Sequence, residues 1–178
     1  MVRTRRAPRC VRRPPSRLSS GLGNPQFRLL RPSFEDSCRS LGFEPIFLEL
    51  SAASEIDGAI ARLAQQRVGA LVLRDDSFAG AHGPEIIAAA LKRGVPTLCS
   101  DVDFVREAGA LASYTAPTVE SYRHAAYDVD RILRGAKPAN LPVEQPTQFE
   151  LVVNLKTAKR LRIAVPESLV LRVDKVIR

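Results

Sequence analysis

Three prolines spaced four apart, Pro138, Pro142 and Pro146, decide what the last third of this chain can be. They lie in residues 135–161, GAKPANLPVEQPTQFELVVNLKTAKRL. Each fixes its own φ, removes a backbone donor and pushes the residue before it toward extended geometry, so this part is expected to be extended and not helical. Gly135, just upstream, suits a left-handed helix C-cap. Downstream, Phe149, Leu151 and Val153 alternate with Glu150, Val152 and Asn154, the period of a strand. Asn154 then stands where an N-cap would open a helix from Leu155. A helix end, a stiff crossover, a strand and a new helix make a segment built to cross between two bodies.

Upstream the pattern is repetitive. Gly69-Ala-Leu-Val-Leu73 is a short apolar run without alternation, which suits a central parallel strand. Residues 45–50, 95–99 and 110–114 are the other strand candidates. Between them, residues 33–41 are expected to form a short helix ended by Gly42. Ser54-Glu-Ile-Asp57 reads as a capping box with Asp in place of Glu. It opens a helix whose Ile56, Ile60, Leu63 and Ala64 share a face. Residues 84–92 are expected as a helix with Pro84 in its first turn and Gly94 after its end. Asp101 caps a short helix to about Glu107. Strands alternating with helices predict βαβ units, right-handed crossovers and an α/β fold: a Rossmann-like parallel sheet with flanking helices.

The longest expected helix covers residues 118–134. Val119, Tyr122, Ala126, Val129 and Leu133 recur at helical spacing, and Ala125 and Ile132 broaden the stripe. A stripe that broad wants cover on more than one side.

The charge is uneven. The formal net charge of +8 comes from the head: residues 1–31 hold nine arginines and no acid. The rest is close to neutral. Residues 1–23 are Arg-, Pro- and Ser-rich without periodicity and are expected to be disordered. A basic arm of this kind could touch nucleic acid or acidic lipid, but it has no interleaved aromatics and no reading module, so no nucleic-acid partner is expected. The head has the positive charge of an export signal but no apolar run after it. No stretch of the chain has the roughly 18 apolar residues of a membrane helix.

Catalysis finds no support. There is no Gly-x-Ser-x-Gly elbow, no Gly-Lys-Ser/Thr phosphate loop and no dinucleotide glycine motif after a strand. Cys10, Cys38 and Cys99 have no paired spacing, and His82 and His124 have no second ligand at metal spacing. Cys99 reads as a buried strand thiol, Cys38 as helical and half-buried, and both histidines as solvated. Lys156, Lys159, Arg160 and Arg162 read as a solvated helix face. No enzyme activity, cofactor or metal is expected.

Ligands of open parallel sheets bind beyond the carboxyl ends of the strands. That rule selects Asp75, Asp76 and Ser77 after one strand, Ser100 and Asp101 after the next, and Tyr114 at the end of the last. Asp75 or Asp76 could hold an ammonium group, Ser100 a carboxylate or amide, and Tyr114 an aromatic ring. The bland alternatives are equally physical: the aspartates are good turn and cap residues, and Tyr114 could be a packed strand-end aromatic.

Residues 135–161, with Ile163-Ala-Val-Pro-Glu-Ser-Leu-Val-Leu-Arg-Val-Asp174 after them, resemble the C-terminal signature of ABC-transporter substrate-binding proteins of the tryptophan/tyrosine-binding-like group. Weaker similarity reaches back to about Asn24. The resemblance implies a type 1 periplasmic binding protein, with two lobes that close on a solute. This chain is expected to hold the second lobe (24–117) and the crossover elements (118–178), without the first lobe. The helix over 118–134, which runs toward the first lobe in that family, should then show a bare apolar patch.

The resemblance also implies a small-molecule solute, an amino acid or a related compound, ABC permease subunits as partners, and a periplasmic location. Departures from the family pattern include Thr115 where a glycine is common, Asp130 where a small residue is usual, and Arg160 and Arg162 in place of small residues. With the expected loss of a lobe, they suggest an incomplete copy that binds its solute weakly or not at all. The alternative is a non-enzymatic interaction module that forms a homodimer through the face left bare.

Overall fold

The computed structural model describes residues 17–19, 25–74, 76–143 and 145–178. Seven strands form one sheet: β1 (Arg17–Ser19), β2 (Phe47–Leu48), β3 (Leu71–Leu73), β4 (Thr97–Cys99), β5 (Ala112–Thr115), β6 (Glu150–Asn154) and β7 (Lys175–Ile177). The helices are α1 (Pro25–Ser40), α2 (Ile56–Gln65), α3 (Ser77–Lys92), α4 (Thr118–Leu133), α5 (Leu155–Arg160) and α6 (Glu167–Val170). The strand order is β2-β1-β3-β4-β5-β6-β7. The first five strands are mutually parallel, β6 runs antiparallel to β5, and β7 is parallel to β6. The expected α/β architecture with a parallel sheet is what the chain adopts.

The alternation of the strands separates the two faces of the sheet. Leu71, Leu73, Thr97, Cys99 and Ser113 are buried on one face, where the register pairs Leu71 with Thr97, Leu73 with Cys99 and Cys99 with Ser113. α2 and α3 supply the cover, through Ile56, Ile60, Leu63, Ile86 and Ile87, all 4% exposed or less. Val72, Leu98 and Tyr114 point to the other face, which is more open; Leu98 is 37% exposed on a central strand. β6 joins the core through Val152 and through Asn154, whose Nδ2 donates to the Val105 carbonyl at 2.9 Å. The Asn154 side-chain oxygen accepts from the Thr157 amide at 3.0 Å and caps α5 as expected.

Several expectations change. Arg17–Ser19, inside the head expected to be disordered, forms β1 and fills the sheet between β2 and β3. Without it, backbone groups on two neighbouring strands would lose their ladder partners. The rest of the 1–23 head, with Cys10, lies outside the described residues.

α1 is longer than expected and runs through Pro32. α3 starts at Ser77, not Pro84. Pro84 is tolerated inside it because the carbonyl four residues back belongs to Gly80, which is exposed and open to water. The capping box also shifts. Glu55, not Asp57, reaches back: its carboxylate accepts from the Ser51 amide and hydroxyl and from the Ala52 amide. Those three bonds hold its pKa below the usual carboxylate range. Asp57 pairs instead with Arg93 at 2.6 Å.

Residues 102–108 end in a π turn, Phe104–Ala108, whose Phe104 ring lies on α3 at Gly83. A Cβ there would sit 2.3 Å from the ring, so the close approach requires glycine. Gly135 ends α4 with φ of 97°, the left-handed cap expected. Pro138–Asn140 is a short 3-10 turn in the crossover otherwise expected to be extended. β7 was not legible in the sequence.

Candidate functional site

The loops after β3, β4 and β5 meet at the carboxyl edge of the parallel strands. The paired row Leu73–Cys99–Ser113 is the last common row of β3, β4 and β5. The next residues along the chain are Arg74, Ser100 and Tyr114. Neighbouring strands lie about 4.8 Å apart, so this register brings Ser100 and Tyr114 to adjacent positions on the rim.

Each candidate has a defined environment. Asp76 is the N-cap of α3, and its Oδ1 accepts from the Ala79 amide at 2.8 Å. Ser77 is exposed in the first turn of the same helix. The α3 N-terminus therefore opens onto this rim with its positive dipole end. Ser100 is half-buried just after β4. Asp101 is exposed, and its Oδ1 accepts from the Asp103 amide at 2.8 Å. Both aspartates thus hold their loops, as turn and cap chemistry allows, while Asp101 keeps its carboxylate in water. Asp75 lies outside the described residues.

Tyr114 is 63% exposed and stacks on Phe149, with ring centroids 5.2 Å apart and planes 19° from parallel. Phe149 was not among the expected site residues. The period-two pattern of 149–154 placed it on one face, but the pairing of Tyr114 with Leu151 across β5 and β6, which sets Phe149 diagonally beside Tyr114, is a tertiary fact.

The wall beneath the rim is chemically quiet. Burial pushes the Cys99 thiol up to about 11, so it stays protonated. Cys38, expected half-buried, is buried, and burial raises its pKa as well. His82 is half-buried, not solvated: its ring lies 4.7 Å from that of Phe78 and its Nδ1 lies 3.3 Å from Glu85. His124 is exposed. Lys156, Lys159, Arg160 and Arg162 are all exposed. Among the described residues, no three His, Cys, Asp or Glu side chains are placed to hold a metal ion.

Two hollows flank the sheet. One, of about 560 Å³, lies beyond β5, between α4 and the returning crossover, with Pro117, Glu120, His124, Asp128 and Gln145 in its lining. The larger, about 970 Å³, lies between the end of α1 and β2, lined by Arg31, Glu35, Arg39 and Phe43. It surrounds the loop that enters β2, mostly at the amino edge of the sheet, so the smaller hollow is the one that adjoins the rim.

α4 is the other distinctive surface. None of its residues is buried. Val119, Tyr122, Val129 and Leu133 are each more than half exposed, the bare apolar patch expected from the stripe.

Residues 40–177 match the family described as ABC transporter substrate binding protein. The chain belongs to that family. Its members bind solutes and are not enzymes.

The fold of this family member matches several solved structures. A conserved domain protein from Vibrio cholerae superposes with a TM-score of 0.84 at 21% identity, covering 93% of this chain and 55% of that one. The ABC domain from Streptococcus pneumonia, solved in complex with L-Trp, gives 0.78 at 21% identity, covering 91% and 56%. A ligand-free, open substrate-binding protein with adhesive properties from Clostridium difficile gives 0.69 at 16% identity, covering 93% and 55%. The chain spans about half the length of these structures. No curated protein matches it by sequence. Among the described residues, no helix is long and apolar enough to cross a membrane.

Proposed function

We propose that this chain contributes one wall of the solute cleft of an ABC importer's receptor, outside the cytoplasm, and that the solute is an amino acid or a compound like one. The observation that carries the reading is the rim itself: Ser100, Asp101 and the exposed Tyr114–Phe149 stack gathered at the carboxyl edge of the parallel strands, beside the N-terminus of α3. Chemistry assigns the roles. The Asp101 carboxylate, and that of Asp76 in the rim loop after β3, offer negative charge to an ammonium group. The Ser100 and Ser77 hydroxyls offer donors to a carboxylate, helped by the helix end. The Tyr114 ring offers a face to an apolar or aromatic side chain.

Receptors of this type bind by closing two lobes on a ligand through a hinge. A single wall supplies part of the contacts and none of the closure. Binding by the 178-residue chain is therefore expected to be weak. L-Trp is the first probe, since the Streptococcus structure holds it.

Nitrogen-15 chemical-shift mapping with millimolar L-Trp should move the amides of 76–77, 100–101 and 114–115, and Tyr114→Ala should remove the effect. Shifts confined to another surface, or none at millimolar concentration, would overturn the assignment of the wall. Calorimetry with aromatic and branched amino acids tests the weakness separately: sub-micromolar binding by this chain alone would refute it.

A further inference from the structure

The amino edge of the sheet, opposite the rim, carries a surface that solute binding does not use. β6 runs antiparallel to β5, and the Asn154 amide at its end donates to the Leu111 carbonyl, just before β5 begins. α5 therefore starts beyond the amino edge, and a second lobe closing on the rim would leave it open. Thr157 and Ala158 are buried against the lobe, where the Thr157 hydroxyl donates to the Gly109 carbonyl at 2.9 Å. Lys156, Lys159 and Arg160 stand three and four residues apart, so they share the opposite, exposed face of the helix. Arg162 follows directly after the helix and is exposed too.

The charge of this face is not balanced. Elsewhere Arg31, Arg39, Arg93, Arg106, Arg123 and Arg134 each pair with a carboxylate. Among the described residues, Lys156, Lys159, Arg160 and Arg162 pair with none, and residues 155–166 contain no acid. The neighbours across Gly109 bring one exposed charge of each sign, Lys92 and Glu107.

Arg162 also stands where its backbone favours another residue. α5 ends in a Schellman turn: the Arg162 amide donates to the Lys159 carbonyl at 3.1 Å and the Ile163 amide to the Ala158 carbonyl at 2.9 Å. The turn holds Arg162 at φ 56°, where glycine is the usual residue.

We propose that this face docks on an anionic lipid surface. Neither hollow that flanks the sheet reaches the four cations, so they stand on a convex helix face, suited to a broad surface and not to a small anion. No aromatic ring occurs between residues 155 and 178 for a nucleic-acid base to stack on. A protein partner would want an apolar or aromatic anchor at the centre of the contact. The face presents none, because Leu161 and Ile163 beside it are half-buried in the chain. Attraction to a charged lipid layer needs only the summed charge, each cation strengthening it roughly fivefold. This docking does not rest on the solute reading.

Co-sedimentation at low salt with phosphatidylcholine vesicles, with and without phosphatidylglycerol, tests it. Binding is expected only with phosphatidylglycerol and should fall as salt rises. Arg160→Ala with Arg162→Gly should weaken it roughly twentyfold, and Lys156→Gln with Lys159→Gln should do the same. Removing two charges from the end of α4, by Arg131→Ala with Lys137→Ala, should change it by no more than about twofold. The arginines of residues 1–31 are common to all these chains, so the differences report the face.

Alanine suits an exposed helix position and glycine a left-handed cap, and far-UV circular dichroism should show the variants folded. No binding to phosphatidylglycerol vesicles at low salt overturns the proposal. So does binding that both face variants leave intact, or that the α4 variant weakens equally. A chain that ignores the vesicles, yet is held on immobilised poly-glutamate through the same four residues, would place the partner among acidic proteins and also overturn it.

Discussion

α2 and α4 are amphipathic to a similar degree, yet their fates differ. α2 buries Ile56, Ala59, Ile60 and Leu63 against α3 and the sheet. α4, six residues longer, buries nothing. An apolar stripe states what a face needs; it does not state that the same chain supplies it. α2 lies between two strands of the sheet it covers. The chain leaves the last parallel strand through Pro117, forms α4 and returns by way of the crossover after Leu133, and none of the described residues covers the outer face of α4. Length and connectivity, not pattern, separate a core helix from an interface helix.

Substitutions along this contrast should grade in size. Ile60→Ala, at a fully buried site on α2, should cost about 2–5 kcal/mol in urea unfolding. A cost below about 1 kcal/mol would mean that α2 is not part of the core. Asn154→Ala comes next, at about 1–3 kcal/mol, because it leaves the Val105 carbonyl and the Thr157 amide without their buried partner. Full retention of stability there would detach β6 and α5 from the lobe.

Asp76→Ala removes a helix cap and should cost about 0.5–2 kcal/mol. If it also abolishes the L-Trp shifts while Asp101→Asn does not, the charge for the ammonium comes from Asp76. Leu133→Ala, on the bare face, should fall within about 0.5 kcal/mol of the parent. A core-sized loss there would erase the contrast between the two helices.

Much of this was legible before any coordinates. The unbroken apolar run at 69–73 and the strands around 97–99 and 112–115 followed from parallel-sheet chemistry, and so did the left-handed Gly135 and the Asn154 cap, because each rests on local physics. β1 was missed because Arg17-Leu-Ser19 has no alternation to read; its place is set by the gap between β2 and β3. The start of α3 was misplaced because Pro84 looks like a first-turn residue, while an exposed Gly80 lets the helix continue through it.

At the rim, the carboxyl-end rule found Ser100, Asp101 and Tyr114 but not Phe149, whose stacking depends on a register between β5 and β6 that no local pattern carries. The capping box failed by a similar margin: Ser54 and Asp57 fit the motif, but Glu55 with Ser51 fits the geometry.

Amide hydrogen exchange of α4 against α3 addresses the contrast most directly. Amides of Tyr122 through Leu133 should exchange by local opening, orders of magnitude ahead of Ile86 and Ile87. Protection in α4 equal to that of α3 would show that residues 1–178 cover this helix themselves, and would contradict the contrast between the two helices.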